Sequence, residues 1–253
     1  MAVLTEKQIK YGFDYYHKDD ARPKSVVEVS EYDGEDKLMI NCTQLEESYS
    51  AKSKKRIWME WFDFLVNNPD TFTELMFCTR MPQELFDAVC AQRRLKKLHI
   101  KWGVYPDISK LENLQELKYL HIGSGRSVSS LEPISRLVNL VALSIENFQQ
   151  IDDYAPLSNL KHLESLALEG DFAAPKILKV QSLEFLRHMK QLRFFSLLTA
   201  KVIDKDYSPV LELNNLEHLT LKSCKEVKQL YPQLIKLPKL KYGTVLERPE
   251  LYE

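Results

Sequence analysis

The sequence lacks an excess of charge of either sign. Its Lys and Arg residues number 35 and its Asp and Glu residues 36, so the formal net charge is -1. A polyanion is held mainly by a positive field over the protein surface. Because the chain provides no such field overall, we expect no nucleic-acid partner.

Long apolar runs are also missing. No stretch approaches the roughly 18 uninterrupted apolar residues of a membrane helix. The N-terminal residues lack the basic start and apolar segment of a secretory signal. The four cysteines occur without a CxxC pair, which favours reduced thiols over a disulfide framework. We therefore expect a cytoplasmic protein that does not contact a membrane.

Motifs that carry catalysis are scarce as well. The chain contains no G-x-S-x-G, P-loop or dinucleotide fingerprint. His17, Asp19 and Asp20 offer metal-type ligands, but their spacing fits no common site and favours a solvated turn. The sequence thus predicts no enzyme and no cofactor. A small enzyme with a site in this N-terminal region, around His17 to Asp20, is the alternative from a different functional class.

What the sequence does contain is an internal repeat. An L-x-x-L-x-L frame recurs at intervals of 22, 23, 23, 29 and 24 residues, and its central positions are Leu98, Leu120, Leu143, Leu166, Phe195 and Leu219. A further frame centred on Leu75 lies 23 residues upstream of Leu98. About seven copies of one structural unit are therefore expected.

Each frame predicts a strand, and the residues that follow it predict a segment that leads back to the start of the next strand. In an extended segment alternate side chains point to opposite faces, so the last two apolar residues of a frame point inward together. One such strand cannot bury its apolar face alone, whereas stacked copies form a parallel sheet. Apolar residues at spacings of three, as at Leu131, Ile134 and Leu137, predict short helical turns on the convex side.

These frames resemble leucine-rich repeats. The segment "IDDYAPLSNLKHLESLAL" is similar to the short repeats of internalin-type bacterial proteins and phosphatase-regulator-type solenoids. The resemblance covers about Phe72 to Tyr242. It implies an α/β solenoid with a curved parallel sheet, whose concave face binds another protein.

The ends of the chain predict three regions. Residues 1–70 form an N-terminal α+β cap, residues 71–243 the repeats, and residues 244–253 a C-terminal tail. Within the cap, alternating apolar residues around Asp33-Gly34 predict a hairpin, and Thr43 to Glu46 predicts a capping box that opens a helix ending near Pro69. A separate small binding or catalytic domain is the other interpretation of this region; so short a segment makes a poor independent core.

The outward residues of the predicted strands indicate where a partner binds. Aromatic and charged side chains stand on either side of a strip of small residues, a composition that suits a protein interface. The predicted contact residues on this face are Tyr119, His99, His121, Glu146, Glu169, Phe194 and His218. An insertion at 170–181 places Phe172 and Ile177 on the rim as further contacts. The partner is a protein, and an immunity or anti-effector protein that clamps a toxin is the alternative within binding functions.

A histidine pair is the one candidate for metal binding among the repeats. His99 and His121 occupy equivalent positions on adjacent predicted strands, so their side chains should lie about 5 Å apart. The next strand has Ser144 at this position and supplies no third ligand. The sequence therefore predicts no metal site.

Overall fold

A computed structural model describes residues 4–14, 22–171 and 176–253. Within these residues, nine strands form one parallel sheet, and their order in the sheet follows their order in the chain. Four further short strands, β4, β6, β10 and β12, pair outside this sheet. The strands are β1 (Lys24–Val26), β2 (Lys37–Ile40), β3 (Glu74–Phe77), β4 (Met81–Pro82), β5 (Lys97–Ile100), β6 (Gly103–Val104), β7 (Tyr119–Ile122), β8 (Ala142–Glu146), β9 (Ser165–Glu169), β10 (Leu178–Val180), β11 (Phe194–Leu198), β12 (Ala200–Val202) and β13 (His218–Leu221).

The leucine frames form the core as their spacing predicts. Leu120 pairs with Leu143, and Leu143 with Leu166, so each frame stands directly beside the next in the sheet. The central residues of all seven frames are fully buried in one continuous apolar cluster. The α/β solenoid predicted from the repeats is confirmed.

Short helical turns return the chain from each strand to the next. Pro133, Pro156 and Pro209 lie in the first turn of three of these segments, where a missing N–H costs little. The turns are 3₁₀ helices at Val29–Glu31, Ser109–Asn113, Ala155–Asn159, Glu184–His188, Ser208–Glu212 and Pro249–Leu251, and the α-helices are α1 (Glu6–Tyr11), α2 (Ala51–Asn67), α3 (Gln83–Val89), α4 (Glu132–Ser135), α5 (Lys225–Leu234) and α6 (Thr244–Glu247).

The predicted helix of the N-terminal region exists, but its start was placed wrongly. Helix α2 ends beside Pro69 as expected, and Trp61 is fully buried, donating a hydrogen bond to the Val27 carbonyl. Its N-cap is Ser50, whose hydroxyl accepts from the Ser53 amide. The Thr43 hydroxyl instead donates to the Arg80 carbonyl, a tertiary partner that the local capping pattern does not reveal.

The predicted hairpin around Asp33-Gly34 is wrong. Strands β1 and β2 pair in parallel, Lys24 beside Leu38 and Val26 beside Ile40. The connecting segment is long enough to contain a 3₁₀ turn at Val29–Glu31, which carries the chain back to the start of the next strand. Strand β2 also pairs with β3 in parallel, so the N-terminal region adds two strands to the same sheet. The division at residue 70 remains a prediction.

The two rims and the C-terminal end complete the fold. Short parallel pairs β4–β6 and β10–β12 extend the coils beyond the main strands. The segment predicted as a C-terminal tail packs against the last coil, with Val245 and Tyr252 buried. The Tyr252 hydroxyl donates to the Leu221 carbonyl at 2.5 Å, which ties this segment to β13.

Candidate binding face on the concave side

The N-terminal segment, residues 4–14, lies on the concave face of the sheet. Helix α1 begins at a capping box in which the Thr5 hydroxyl accepts from the Gln8 amide and the Gln8 side chain accepts from the Thr5 amide. The helix ends at Gly12, whose φ of 92° is a conformation that favours glycine. This turn brings the following residues, Phe13 and Asp14, back toward the sheet.

Apolar side chains of this segment fill the small-residue strip of the sheet. Leu4, Ile9 and Phe13 are buried in a cluster that is separate from the main core. The cluster also contains Val141, which precedes β8, and the sheet residues Ala142, Ala167 and Phe194, with Tyr119 and Tyr242 packed against it. Because alanines leave room above the strands, a helix with protruding apolar side chains fits there.

Polar contacts hold the N-terminal segment at one edge of the face. The Leu4 amide donates to Glu164 at 3.3 Å, and Arg193 donates both to the Leu4 carbonyl at 3.1 Å and to Glu164 at 2.9 Å. The Tyr242 hydroxyl donates to the Glu6 carboxylate at 2.7 Å. These contacts join residues far apart in the chain, and the L-x-x-L-x-L frames do not predict them.

The aromatic residues predicted as exposed partner contacts are covered by this segment. Phe194 is only 7% exposed and its ring stacks on His218, with centroids 4.2 Å apart. Tyr119 is half-buried, and its ring centroid lies 6.1 Å from that of Phe13. These two predicted contact residues are therefore covered by the chain's own N-terminal segment and not by water.

His218 is buried at the far end of the same strip. Burial lowers the pKa of its imidazole to about 4, although backbone contacts with Ile9 and Lys10 act in the opposite direction. Its Nε2 lies 2.9 Å from the Thr220 hydroxyl. The neutral ring is thus part of the floor on which helix α1 rests.

The histidine pair lies as close together as the register predicts. His99 pairs with His121 across β5 and β7, and their nearly parallel rings have centroids 4.2 Å apart. Asp14 approaches from the N-terminal segment, with its carboxylate 3.0 Å from Nδ1 of His121. Ser144, predicted as the neighbour on the next strand, also lies 3.0 Å from that nitrogen. The carboxylate beside the pair comes from the N-terminal segment, whereas the next strand contributes only the Ser144 hydroxyl.

Glu146 and Glu169 lie side by side at the ends of β8 and β9. Burial raises the pKa of Glu169, and the negative charge of Asp14 raises it further. Burial raises the pKa of Glu146 as well, and His121 opposes the change. The two predicted glutamates thus adjoin the histidine pair in one polar region of the face.

Of the residues predicted for the rim and for the N-terminal site, the structure describes only Ile177. Ile177 is 46% exposed beside β10, as expected for a contact residue on the rim. Phe172 lies outside the described residues, and so do His17, Asp19 and Asp20. In the part of the chain that the structure describes, no helix is long and apolar enough to cross a membrane.

The residues that cover the face were not predicted from the sequence. A signal was available: Thr5 and Gln8 have the spacing of a capping box, and Leu4 and Ile9 flank it at the spacing of a hydrophobic staple, a pattern that opens a helix. This helix has only six residues. Nothing in so short a pattern shows which surface its apolar side contacts.

Comparison with solved structures identifies the architecture. An internalin from Listeria monocytogenes superposes with a TM-score of 0.56, covering 81% of this chain and 51% of that chain at 18% identity. A leucine-rich-repeat protein from Leptospira interrogans gives a TM-score of 0.50, covering 68% of this chain and 44% of that chain at 20% identity. This chain has the leucine-rich-repeat fold.

Sequence comparison adds a shorter match to another leucine-rich-repeat protein. The volume-regulated anion channel subunit LRRC8E of Mus musculus is 34% identical over 92 residues, which are 36% of this chain and 11% of that protein. No family model matches the chain. This chain therefore spans about half or less of the length of these three proteins.

Proposed function

We propose that this leucine-rich-repeat chain is a non-enzymatic recognition module whose concave face binds another protein. Its own N-terminal segment, residues 4–14, occupies that face until the partner displaces it. One observation carries the proposal: the face already holds the short N-terminal segment, which includes helix α1, by an apolar strip and by polar contacts at its edge. Helix-in-groove binding is a common mode of peptide recognition.

Release of the N-terminal segment leaves the main core untouched. The side chains that dock this segment form their own apolar cluster, separate from the cluster of buried leucines. Local opening of such a unit costs less free energy than global unfolding. A partner with a better-fitting helix is therefore able to take the place of residues 4–14 while the solenoid stays folded.

The N-terminal segment also indicates what the partner presents. Its apolar side chains enter the alanine strip, and Asp14 faces His121. We expect a partner helix with two or three apolar side chains on one side and a carboxylate near the histidine pair. The exposed Ile177 supports a second contact at the rim.

A peptide-binding experiment tests the face directly. The full chain carrying Ile9→Asp places a charge in the apolar cluster and should release the N-terminal segment. A labelled synthetic peptide of residues 1–14 with the natural sequence should then bind this variant at least about tenfold more tightly than it binds the unaltered chain. Fluorescence anisotropy measures both affinities.

Two further variants control that experiment. Adding Ala167→Arg to the Ile9→Asp chain fills the strip and should abolish peptide binding. Lys52→Asp, on the exposed side of α2, introduces the same carboxylate elsewhere and should leave the affinity of the unaltered chain unchanged. Equal affinity of the unaltered and Ile9→Asp chains would contradict the proposal.

Partner capture then separates the concave face from the rim. The Ile9→Asp chain should retain a partner from its native lysate more strongly than the unaltered chain, and the 1–14 peptide should compete for it. Ile177→Asp should weaken capture of the partner if the rim is part of the binding site. Capture that resists the peptide but fails with Ile177→Asp would move the binding site to the rim. The free thiols of the four cysteines support a cytoplasmic setting for this interaction.

A further inference from the structure

Three side chains that suit a metal ion meet beneath the N-terminal segment. His99 and His121 stand side by side on β5 and β7, and Asp14 faces them from the turn after α1. One nitrogen or oxygen atom from each residue lies within 4.8 Å of the others. The ligands therefore come from two neighbouring strands and from a segment more than eighty residues away in the chain.

Nδ1 of His99 is buried without a hydrogen-bond partner among the described residues. An unsatisfied buried polar atom costs free energy, and such an atom calls for an explanation. A metal ion bound at this nitrogen would give it a partner, since imidazole nitrogen is a common ligand of transition metals.

The surroundings of the pair favour a cation. Glu146 and Glu169 stand side by side at the ends of the next two strands. Together with Asp14 they place three carboxylates around the two imidazoles in a partly buried region. A divalent ion offsets such a concentration of negative charge, whereas bringing the carboxylates together without one costs free energy.

We propose that Asp14, His99 and His121 bind a divalent transition-metal ion, for which zinc is the representative, and that this ion fastens the N-terminal segment to the concave face. Two imidazole nitrogens and one carboxylate oxygen form a zinc ligand set that leaves a fourth position for water. Imidazole ligands also select transition metals over magnesium and calcium, which prefer oxygen ligands.

The geometry needs only a small adjustment to reach this arrangement. Two ligand atoms that each lie about 2.1 Å from a tetrahedral zinc ion are about 3.4 Å apart. The pair formed by Asp14 and Nδ1 of His121 is already at 3.0 Å, and the His99 nitrogen lies within 4.8 Å of the others. A rotation of the His99 ring or of the Asp14 carboxylate that brings its ligand atom closer by at most about 1.4 Å closes the site.

The consequence for the concave face rests on the proposed function. All three ligands come together only while residues 4–14 cover the face, so the ion stabilises the covered arrangement. A free ion concentration one hundred times the Kd shifts the equilibrium about hundredfold toward the covered state. Removal of the ion then makes the face accessible to a partner.

Metal binding is tested without any partner, so its failure is distinguishable from failure of the proposed function. The full chain, free of a histidine tag and stripped with a chelator, is titrated with Zn²⁺ in a calorimeter and with Co²⁺ in an absorption experiment. We expect one equivalent of each ion to bind, and the visible Co²⁺ bands to be those of a four-coordinate nitrogen and oxygen site.

Substitution of the ligands decides whether this is the site. Loss of a residue that only holds a metal ligand in place weakens metal binding by about 10–100-fold. His99→Gln, His121→Gln and Asp14→Asn each remove a ligand and should weaken Zn²⁺ binding by more than this. His188→Gln and Asp63→Asn remove an exposed histidine and an exposed aspartate elsewhere and should change nothing. Absence of binding by the unaltered chain, or unchanged binding by the three ligand variants, overturns the proposal.

Hydrogen exchange tests whether the ion fastens the N-terminal segment. Zn²⁺ should slow exchange of the α1 amides at least about tenfold in the unaltered chain and in His188→Gln, but not in Asp14→Asn or His99→Gln. The amides of β8 and β9 serve as an internal reference whose exchange should not respond. Tight Zn²⁺ binding with no change in α1 exchange would show that the ion does not fasten this segment.

Discussion

Leu166 occupies the central position of its frame and is fully buried between Leu143 and Phe195. Its replacement by alanine removes buried methyl groups and leaves a cavity that close-packed neighbours fill only in part. We predict that Leu166→Ala lowers the free energy of unfolding by about 2–5 kcal/mol, measured by urea denaturation. Leu251→Ala, at a site that is 38% exposed, should cost much less. A loss below about half a kilocalorie for Leu166→Ala would contradict the burial assigned to the frames.

His218 should make stability depend on pH in the acidic range. Burial lowers its folded-state pKa from the ordinary 6.5 to about 4, so between these values the unfolded state binds a proton that the folded state does not. Stability is therefore complete above about pH 6.5 and falls as the pH is lowered toward 4, by up to about 3 kcal/mol. Denaturation curves at pH 7 and pH 4.5 measure this loss.

The His218→Asn variant isolates the contribution of that ring. Asparagine does not titrate, so the stability gap between the unaltered chain and His218→Asn should narrow as the pH falls from 7 to 4.5. The folded-state pKa of His99 is also lowered, and its contribution remains in both proteins. His188→Asn, on an exposed turn, should keep the full pH dependence. A gap that stays constant with pH would show that His218 is not the group responsible.

Among the helices, α1 is the element on which the proposed function depends. The helix has six residues, too few to be stable in water by itself, so its stability comes from tertiary contacts. Its contacts with the sheet lie in the cluster of Leu4, Ile9 and Phe13. The element is therefore docked as a unit and should open as a unit.

A double-mutant cycle measures this docking. Phe13 and Tyr119 lie in contact across the interface, with ring centroids 6.1 Å apart. For Phe13→Ala and Tyr119→Ala we expect a coupling of about 0.5–1.5 kcal/mol in the free energy of opening of α1, obtained from exchange of its amides. The pair Phe13→Ala and Tyr252→Phe, remote from each other, should be additive. Additivity in both pairs would mean that α1 does not rest on Tyr119.

At the scale of the whole molecule, the N-terminal region continues the sheet rather than standing beside it. Strands β1 and β2 cover the edge of β3, and α2 packs its buried face against the same core. An uncovered solenoid end exposes apolar core and an unpaired strand edge, which favours aggregation.

Two deletions separate these roles. Removal of residues 1–68 bares β3 and should make the remainder aggregate, as size-exclusion chromatography will show. Removal of residues 1–14 alone takes away only the segment on the concave face, and the protein should stay soluble and unfold cooperatively. A soluble, cooperatively folding chain that starts near Phe72 would instead support an independent N-terminal domain.

The repeat, the buried positions and the columns of the concave face were predictable from the sequence. These features follow from periodicity: a spacing of two residues fixes the inward side of each strand, and a fixed interval fixes which residues become neighbours. The pairing of His99 with His121 was predictable for this reason. So was helix α2, whose apolar stripe extends over several turns.

The covering of the concave face, in contrast, is visible only in the tertiary contacts. Docking of residues 4–14 depends on contacts such as Leu4 with Arg193, between parts of the chain that no local pattern relates. The parallel pairing of β1 with β2 was not predictable from the sequence either, because alternating apolar residues suit both strand directions. Asp14 contacts His121 because the N-terminal segment folds over the sheet, and periodicity along the chain does not predict such a contact.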